Sequence, residues 1–273
     1  MNKDGDEVHM FLGIPYAQPP VNNLRFLPPR PMLSYDNFEA FEYGPLCPQV
    51  NYFNNFSMAG EEDCLHLNIY SKNADATNLK PVMFWIHGGG FVFGAGSSYD
   101  PTPLIKEDVL VVTINYRLGA LGFLTMGNDL APGNLGIRDQ ILALTWVKTL
   151  IHHFGGDPTR VTIFGQSAGG MSSHALTMSP KAYDLFSAAI FESGTMLLVK
   201  EKYGYSRTHR GSLAVADYFN CSSSSYDQEM LGCLQVRKFS LKKSSLLWVY
   251  QLCHEVSNLH ILNFTSISKI PFI

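Results

Sequence analysis

Four short apolar runs occur in the middle of the chain, each rich in β-branched residues and each ended by polar or glycine residues. They cover residues 81–89, 108–117, 160–165 and 188–194. Nearly continuous apolar runs of this length are typical of strands that are buried on both faces of a sheet. The pattern therefore predicts four buried strands.

A longer amphipathic segment, residues 136–156, lies between the second and third runs. Apolar side chains recur there at spacings of three and four, and two glycines end the segment: Ile137, Ile141, Leu144, Val147 and Ile151, then Gly155 and Gly156. This is the pattern of one helix with a glycine stop. The alternation of strands and helices predicts a doubly wound, mostly parallel α/β sheet, whose ligands bind beyond the carboxyl ends of the strands.

The composition fits one large α/β domain and makes two kinds of partner unlikely. The chain has 273 residues, a hydrophobic content of 46% and a net charge of −3. No cluster of Lys and Arg is interleaved with aromatic residues, so no nucleic-acid partner is expected. The longest apolar runs are far below the roughly 20 residues that a transmembrane helix needs. No metal site or cofactor is predicted.

The sequence GQSAG, residues 165–169, places Ser167 between two glycines at the end of the third run. Small residues at these positions let a strand turn sharply into a helix and hold the serine in a strained, exposed conformation. An ordinary Gly-Ser turn is the alternative. The apolar run before Ser167 and the predicted helix after it favour a nucleophilic serine.

A second glycine-rich sequence, HGGGF at residues 87–91, follows the first apolar run. The backbone N–H groups of Gly89 and Gly90 are able to bind a developing oxyanion, together with the N–H of Ala168 after the serine. A glycine triplet alone fits a flexible loop equally well. The serine motif downstream favours the oxyanion hole.

Longer motifs resemble the type-B carboxylesterase and cholinesterase family of α/β-hydrolases. They run in the family's order from about residue 8 to about residue 240 and include FLGIPYAQPP, EEDCLHLNIY, NYRLGALGFL and GNLGIRDQILALTWV. The resemblance implies hydrolysis of small carboxylic esters by a Ser-Glu-His triad. Ser167 would be the nucleophile, and Gly89, Gly90 and Ala168 would form the oxyanion hole.

The resemblance also implies two scaffold ion pairs and two disulfides. The ion pairs are Arg25 with Glu62 and Arg117 with Asp139. The disulfides are Cys47 with Cys64 and Cys221 with Cys233, which leaves Cys253 over. One local departure is Gln166, where many members have Glu, and this exchange is expected to tune activity and not to abolish it.

Two sets of sequence features lead to opposite predictions of the cellular compartment. The disulfides, and the N-glycosylation sequons at Asn55, Asn220 and Asn263, favour a secreted glycoprotein. The N-terminal residues are polar and lack the apolar core of a signal peptide, so the chain taken as complete would stay in the cytoplasm. The oligomeric state is not predicted.

The triad acid and histidine expected of the family are not found after Ser167. Relatives run to roughly 500 residues, so residues 1–240 are interpreted as a partial domain, truncated at both ends. Residues 241–273 are interpreted as a divergent tail, because no Gly or Asp occurs after Cys233. Activity is therefore expected to be impaired, and a non-catalytic binding or adhesion relative is the alternative.

Other candidates for a catalytic base fit poorly. They are the histidines near the two motifs and the ionisable residues of the tail: His87, His152, His153, His174, His254, Glu255 and His260. A base must reach the serine oxygen at about 2.6 to 3.2 Å. The positions of these residues in the predicted elements do not favour such contact, so each is interpreted as a packed or solvated side chain.

Overall fold

The computed structural model describes residues 8–35, 37–51, 57–72, 74, 76–197, 205–221 and 228–237. Several predicted features lie outside these residues. They are the sequons at Asn55 and Asn263, the cysteine Cys253, and residues 241–273 with His254, Glu255 and His260.

Six strands of the described residues form one sheet. In spatial order they are β1 (His9–Pro15), β4 (His66–Ser71), β6 (Leu110–Ile114), β5 (Lys80–Ile86), β7 (Gly156–Gln166) and β8 (Ala188–Glu192). The pairs β1–β4 and β4–β6 are antiparallel, whereas β6, β5, β7 and β8 are parallel. Two further strands, β2 (Gln49–Asn51) and β3 (Ser57–Ala59), pair antiparallel in a small separate sheet.

The described helices are α1 (Thr102–Ile105), α2 (Gly119–Phe123), α3 (Leu135–Leu150), α4 (Ala168–Thr177), α5 (Tyr205–Tyr218) and α6 (Gln228–Val236). The long predicted helix is α3, continued by a 3-10 turn at Ile151–Phe154. Gly155 ends it with a left-handed φ of 83°, as expected for a glycine stop. None of the described helices is long and apolar enough to cross a membrane.

The winding of the parallel strands reverses around β5. Strand β6 lies on one side of β5, and β7, which follows β6 in sequence through α3, lies on the other side. This is the doubly wound arrangement that the sequence predicts. At such a reversal a crevice opens beyond the carboxyl ends of the two neighbouring strands. The segments that follow β5 and β7 therefore meet at this edge.

Strand β8 differs from the expectation of burial on both faces. Strand β6 is buried at every position, but Ile190 and Phe191 of β8 are 45% and 37% exposed. The reason is position, because β8 has only β7 as a strand neighbour among the described residues. The predicted strands at 81–89 and 108–117 also end earlier than expected, at Ile86 and Ile114.

Two ion pairs join segments that are distant in sequence. The guanidinium of Arg117 donates to both carboxylate oxygens of Asp139 at 2.9 and 2.7 Å, and both side chains are buried. Arg117 also donates to the carbonyl oxygen of Leu27 at 2.9 Å. Arg25 donates to both carboxylate oxygens of Glu62 at 2.5 and 2.6 Å. These contacts fix the loop after β6 and the segment before β4.

The structure contains the disulfides Cys47–Cys64 and Cys221–Cys233. The second one connects the end of α5 to α6. Arg25 binds the end of α6 as well, because its Nη1 donates to three carbonyl oxygens there, those of Leu234, Gln235 and Arg237. A cation at the last carbonyls of a helix stabilises its C-terminus. The Arg25–Glu62 pair therefore connects α6 to the N-terminal part of the chain.

Candidate active site

Ser167 lies in the turn between β7 and α4. Its φ of 56° and ψ of −118° fall in a sparsely populated region, which costs a residue other than glycine about 1–3 kcal/mol. The Ser167 N–H donates to the carbonyl oxygen of Glu192 at 2.8 Å, and its own carbonyl accepts from the N–H of Met171 at 2.9 Å. These bonds hold a strained, partly exposed serine at the carboxyl edge of the sheet.

The two glycines beside Ser167 allow close backbone contact. A Cβ on Gly165 would lie 2.7 Å from the carbonyl carbon of Gly169, and a Cβ on Gly169 would overlap the carbonyl oxygen of Ile86. Strand β7, helix α4 and the end of β5 can approach one another this closely only without side chains at both positions. The G-x-S-x-G spacing thus follows from packing at the turn.

The segment after β5 forms a tight loop over the same edge. Gly89 and Gly90 have positive φ values of 106° and 60°, which glycine adopts at little cost. The carbonyl oxygen of Gly89 accepts from the N–H groups of Val92 and Phe93 at 3.0 and 3.2 Å. The N–H groups of Gly89 and Gly90 donate to no backbone carbonyl of the described residues.

The loop lies directly beside Ser167. Strands β5 and β7 are paired, with Ile86 opposite Gly165. A Cβ built on Gly88 would lie 3.4 Å from the Cβ of Ser167. Ala168 is the first residue of α4, where a helix N–H has no partner within the helix. The structure therefore brings Ser167, Ala168 and the glycine loop together at one point of the sheet edge.

Three of the candidate histidines lie away from the Ser167 hydroxyl. His152 and His153 belong to the 3-10 turn before β7, at the opposite end of that strand from Ser167. On α4, the Nδ1 of His174 accepts from the N–H of Met196 at 3.0 Å, and burial lowers the pKa of His174. Its ring lies 5.0 Å from that of Phe191. None of these three is placed as a general base.

His87 is also no base for Ser167, because its ring is enclosed. The side chain is fully buried and its ring stacks on Tyr116, with the centroids 4.3 Å apart. Burial lowers the pKa of His87 to about 4. No function was predicted from the sequence for His87, or for Gly94, which packs against the His87 ring. The sequence feature that could have indicated a role for His87 is its position immediately before the glycine triplet.

The chain is similar in sequence to known proteins of one family. A sequence model of the carboxylesterase family matches residues 1–256. The chain belongs to the carboxylesterase family. A carboxylic ester hydrolase of Bombus ignitus is 42% identical over 245 residues, 87% of this chain and 43% of that protein. Carboxylesterase 5A of Mus musculus is 43% identical over 88% of this chain and 44% of that protein.

The juvenile hormone esterase of Tribolium castaneum is 42% identical over 82% of this chain and 39% of that protein. The chain thus spans less than half the length of these curated relatives. The boundary at residue 240 between a partial domain and a tail stays a prediction.

Proposed function

We propose that this carboxylesterase-family chain carries the nucleophile and the oxyanion hole of a serine hydrolase of small carboxylic esters. The observation that carries the proposal is the position of the strained Ser167 after β7, beside the glycine loop after the neighbouring strand β5, where a Cβ built on Gly88 would lie 3.4 Å from the Cβ of Ser167. Serine at such a turn, beside backbone N–H groups with no backbone partner, is the arrangement that acyl transfer requires. The names of the relatives support esters as the substrate class.

The reaction that fits this geometry is acyl transfer in two steps. The oxygen of Ser167 bonds to the ester carbon, its proton passes to a base, and the carbonyl π electrons move to oxygen. The N–H groups of Gly89, Gly90 and Ala168 bind that oxyanion, and losing one such donor typically costs about 2.7–4 kcal/mol of transition-state stabilisation. The oxyanion collapses, the bond from the acyl carbon to the alkoxide oxygen breaks, and the alkoxide takes up the proton held by the base. Water then attacks the acyl-enzyme in the same way, which releases the carboxylic acid and returns a proton to the oxygen of Ser167. No cofactor is needed.

None of the four candidate histidines among the described residues is placed as a base for Ser167. His87 contacts the carbonyl oxygen of Gly88, and His174 accepts from the N–H of Met196. The rings of His152 and His153 contact each other. Without a positioned base a serine hydroxyl is a weak nucleophile. We infer that the chain by itself has impaired activity, close to the residual catalysis of about 10³ to 10⁴ over water that an oxyanion hole and binding give.

The two disulfides support folding in an oxidising compartment. We infer that the protein is secreted or extracellular.

A non-catalytic binding or adhesion protein is a second candidate function. The observation that favours it is that none of the four candidate histidines among the described residues is placed as a base for Ser167.

Turnover and covalent labelling of the purified chain test this proposal and separate the two candidates. Wild type should hydrolyse p-nitrophenyl acetate no faster than Ser167→Ala, because proton removal is unassisted. A fluorophosphonate in excess should modify wild type slowly, giving a mass increase on Ser167 that the alanine variant lacks. Burst kinetics in wild type would overturn the inferred impairment. An unmodified Ser167 would favour the non-catalytic candidate.

A further inference from the structure

His87 precedes the glycine triplet and makes one side-chain hydrogen bond that defines its tautomer. Its Nδ1 lies 2.8 Å from the carbonyl oxygen of Gly88. A carbonyl oxygen only accepts, so Nδ1 carries the proton and donates. The buried Nε2 has no hydrogen-bond partner among the described residues. With a pKa lowered by burial to about 4, the ring is neutral at pH 7.

This hydrogen bond acts on the peptide unit that joins Gly88 to Gly89. A trans peptide unit is planar, with its C=O and N–H pointing in opposite directions, and the described residues contain no cis peptide bond. The C=O of Gly88 points to the ring of His87, so the N–H of Gly89 points away from it. Glycine adopts many backbone conformations, and the hydrogen bond therefore selects one orientation of this N–H.

The ring of His87 is held in place on several sides. Tyr116 stacks on it at an interplanar angle of 17°, and the Tyr116 hydroxyl donates to the His87 carbonyl oxygen at 2.9 Å. A Cβ on Gly94 would lie 2.6 Å from the Gly88 carbonyl oxygen, so Gly94 covers the hydrogen bond. The side-chain amide of Gln49 exchanges two hydrogen bonds of 2.9 Å with the backbone of Gly94.

We propose that His87 is a positioning residue of the oxyanion hole, which acts through the Gly88 carbonyl to direct the N–H of Gly89 at the acyl oxygen. Hydrogen bonding at the C=O of a peptide also polarises its N–H and strengthens it as a donor. This role rests on the proposed function, since it assigns the ligand of Gly89. A histidine that merely filled the core would need neither a particular tautomer nor a link to Gly89.

Nitrogen NMR of the full chain tests the link without any catalytic turnover. Histidine and glycine are labelled with ¹⁵N, and the signals of His87 and Gly89 are assigned with His87→Phe and Gly89→Ala variants. At pH 7 the wild type should show a protonated Nδ1 and an unprotonated Nε2 at His87. The Gly89 amide signal should shift in His87→Phe and stay in place in His174→Phe. An Nε2-protonated ring, or an unchanged Gly89 signal, would overturn the proposal.

Labelling of Ser167 by a fluorophosphonate adds the functional measurement. We expect His87→Phe to react at least about tenfold more slowly than wild type, because one oxyanion donor is no longer aimed. His87→Asn, which keeps a neutral N–H donor, should recover part of the rate, and His174→Phe should react like wild type. Equal rates for His87→Phe and wild type would refute the positioning role. If wild-type Ser167 does not react at all, the proposed function fails, and the NMR result still decides the role of His87.

Discussion

The Arg117–Asp139 pair gives a prediction at the residue scale. Asp139→Asn leaves the buried guanidinium of Arg117 without its counter-charge, and breaking a buried pair typically costs about 3–5 kcal/mol of unfolding free energy. Asp108→Asn is the matched control, because Asp108 is mostly exposed in its pair with Lys80 and such pairs contribute about 0–1 kcal/mol. Urea unfolding measures both. Equal losses of unfolding free energy in the two variants would show that the buried pair stabilises the fold no more than the exposed pair does.

The serine, its flanking glycines and the glycine triplet were predictable from the sequence, because each meets a local backbone requirement at a turn. The role of His87 was not, because it depends on Tyr116 and Gly94, which come close only in the folded sheet. Short motifs record local requirements of this kind, whereas they do not record contacts between distant segments.

Elements of the parallel sheet were predicted better than those at its antiparallel side. Nearly continuous apolar runs form strand β6 and the C-terminal parts of β5 and β7, residues 82–86 and 161–165, and each of these strands has a strand neighbour on both sides. Strands β1 and β4 were not predicted, because β1 contains Gly13 and a register shift and pairs with a strand more than fifty residues away. Whether two strands so far apart in sequence pair with each other depends on the packing of the whole sheet, which no short stretch of sequence specifies. The exposure of β8 has a different cause, its position at the end of the described sheet with β7 as its one strand neighbour there.

The disulfide between α5 and α6 supplies a prediction at the element scale. Cys233→Ser opens a short loop, which should cost about 3 kcal/mol of unfolding free energy and loosen the α6 end that Arg25 holds. Denaturant unfolding under non-reducing conditions measures the loss. Cys253→Ser, outside both pairs, should lose nothing. Peptide mapping that finds Cys253 bonded to any of the four paired cysteines would contradict this assignment.

At the scale of the whole molecule, the outer edge of β8 is unpaired among the described residues and presents Ile190 and Phe191. An apolar open edge pairs readily with another chain. We expect the purified chain to self-associate, and Phe191→Lys to shift sedimentation velocity profiles toward monomer. Leu33→Lys, at an exposed position off the sheet, is the control. A monodisperse wild-type monomer would show that this edge is covered.

The most direct measurement of the central claim gives Ser167 the partners that the described residues lack. Residues 1–240 are joined to the part of the Bombus ignitus ester hydrolase that follows its matched region, and p-nitrophenyl acetate turnover is compared with that of the same chimera carrying Ser167→Ala. Cooperative thermal unfolding first confirms that both chimeras fold. The account predicts a burst and steady turnover that depend on Ser167. Equal background rates in two folded chimeras would contradict Ser167 as the nucleophile.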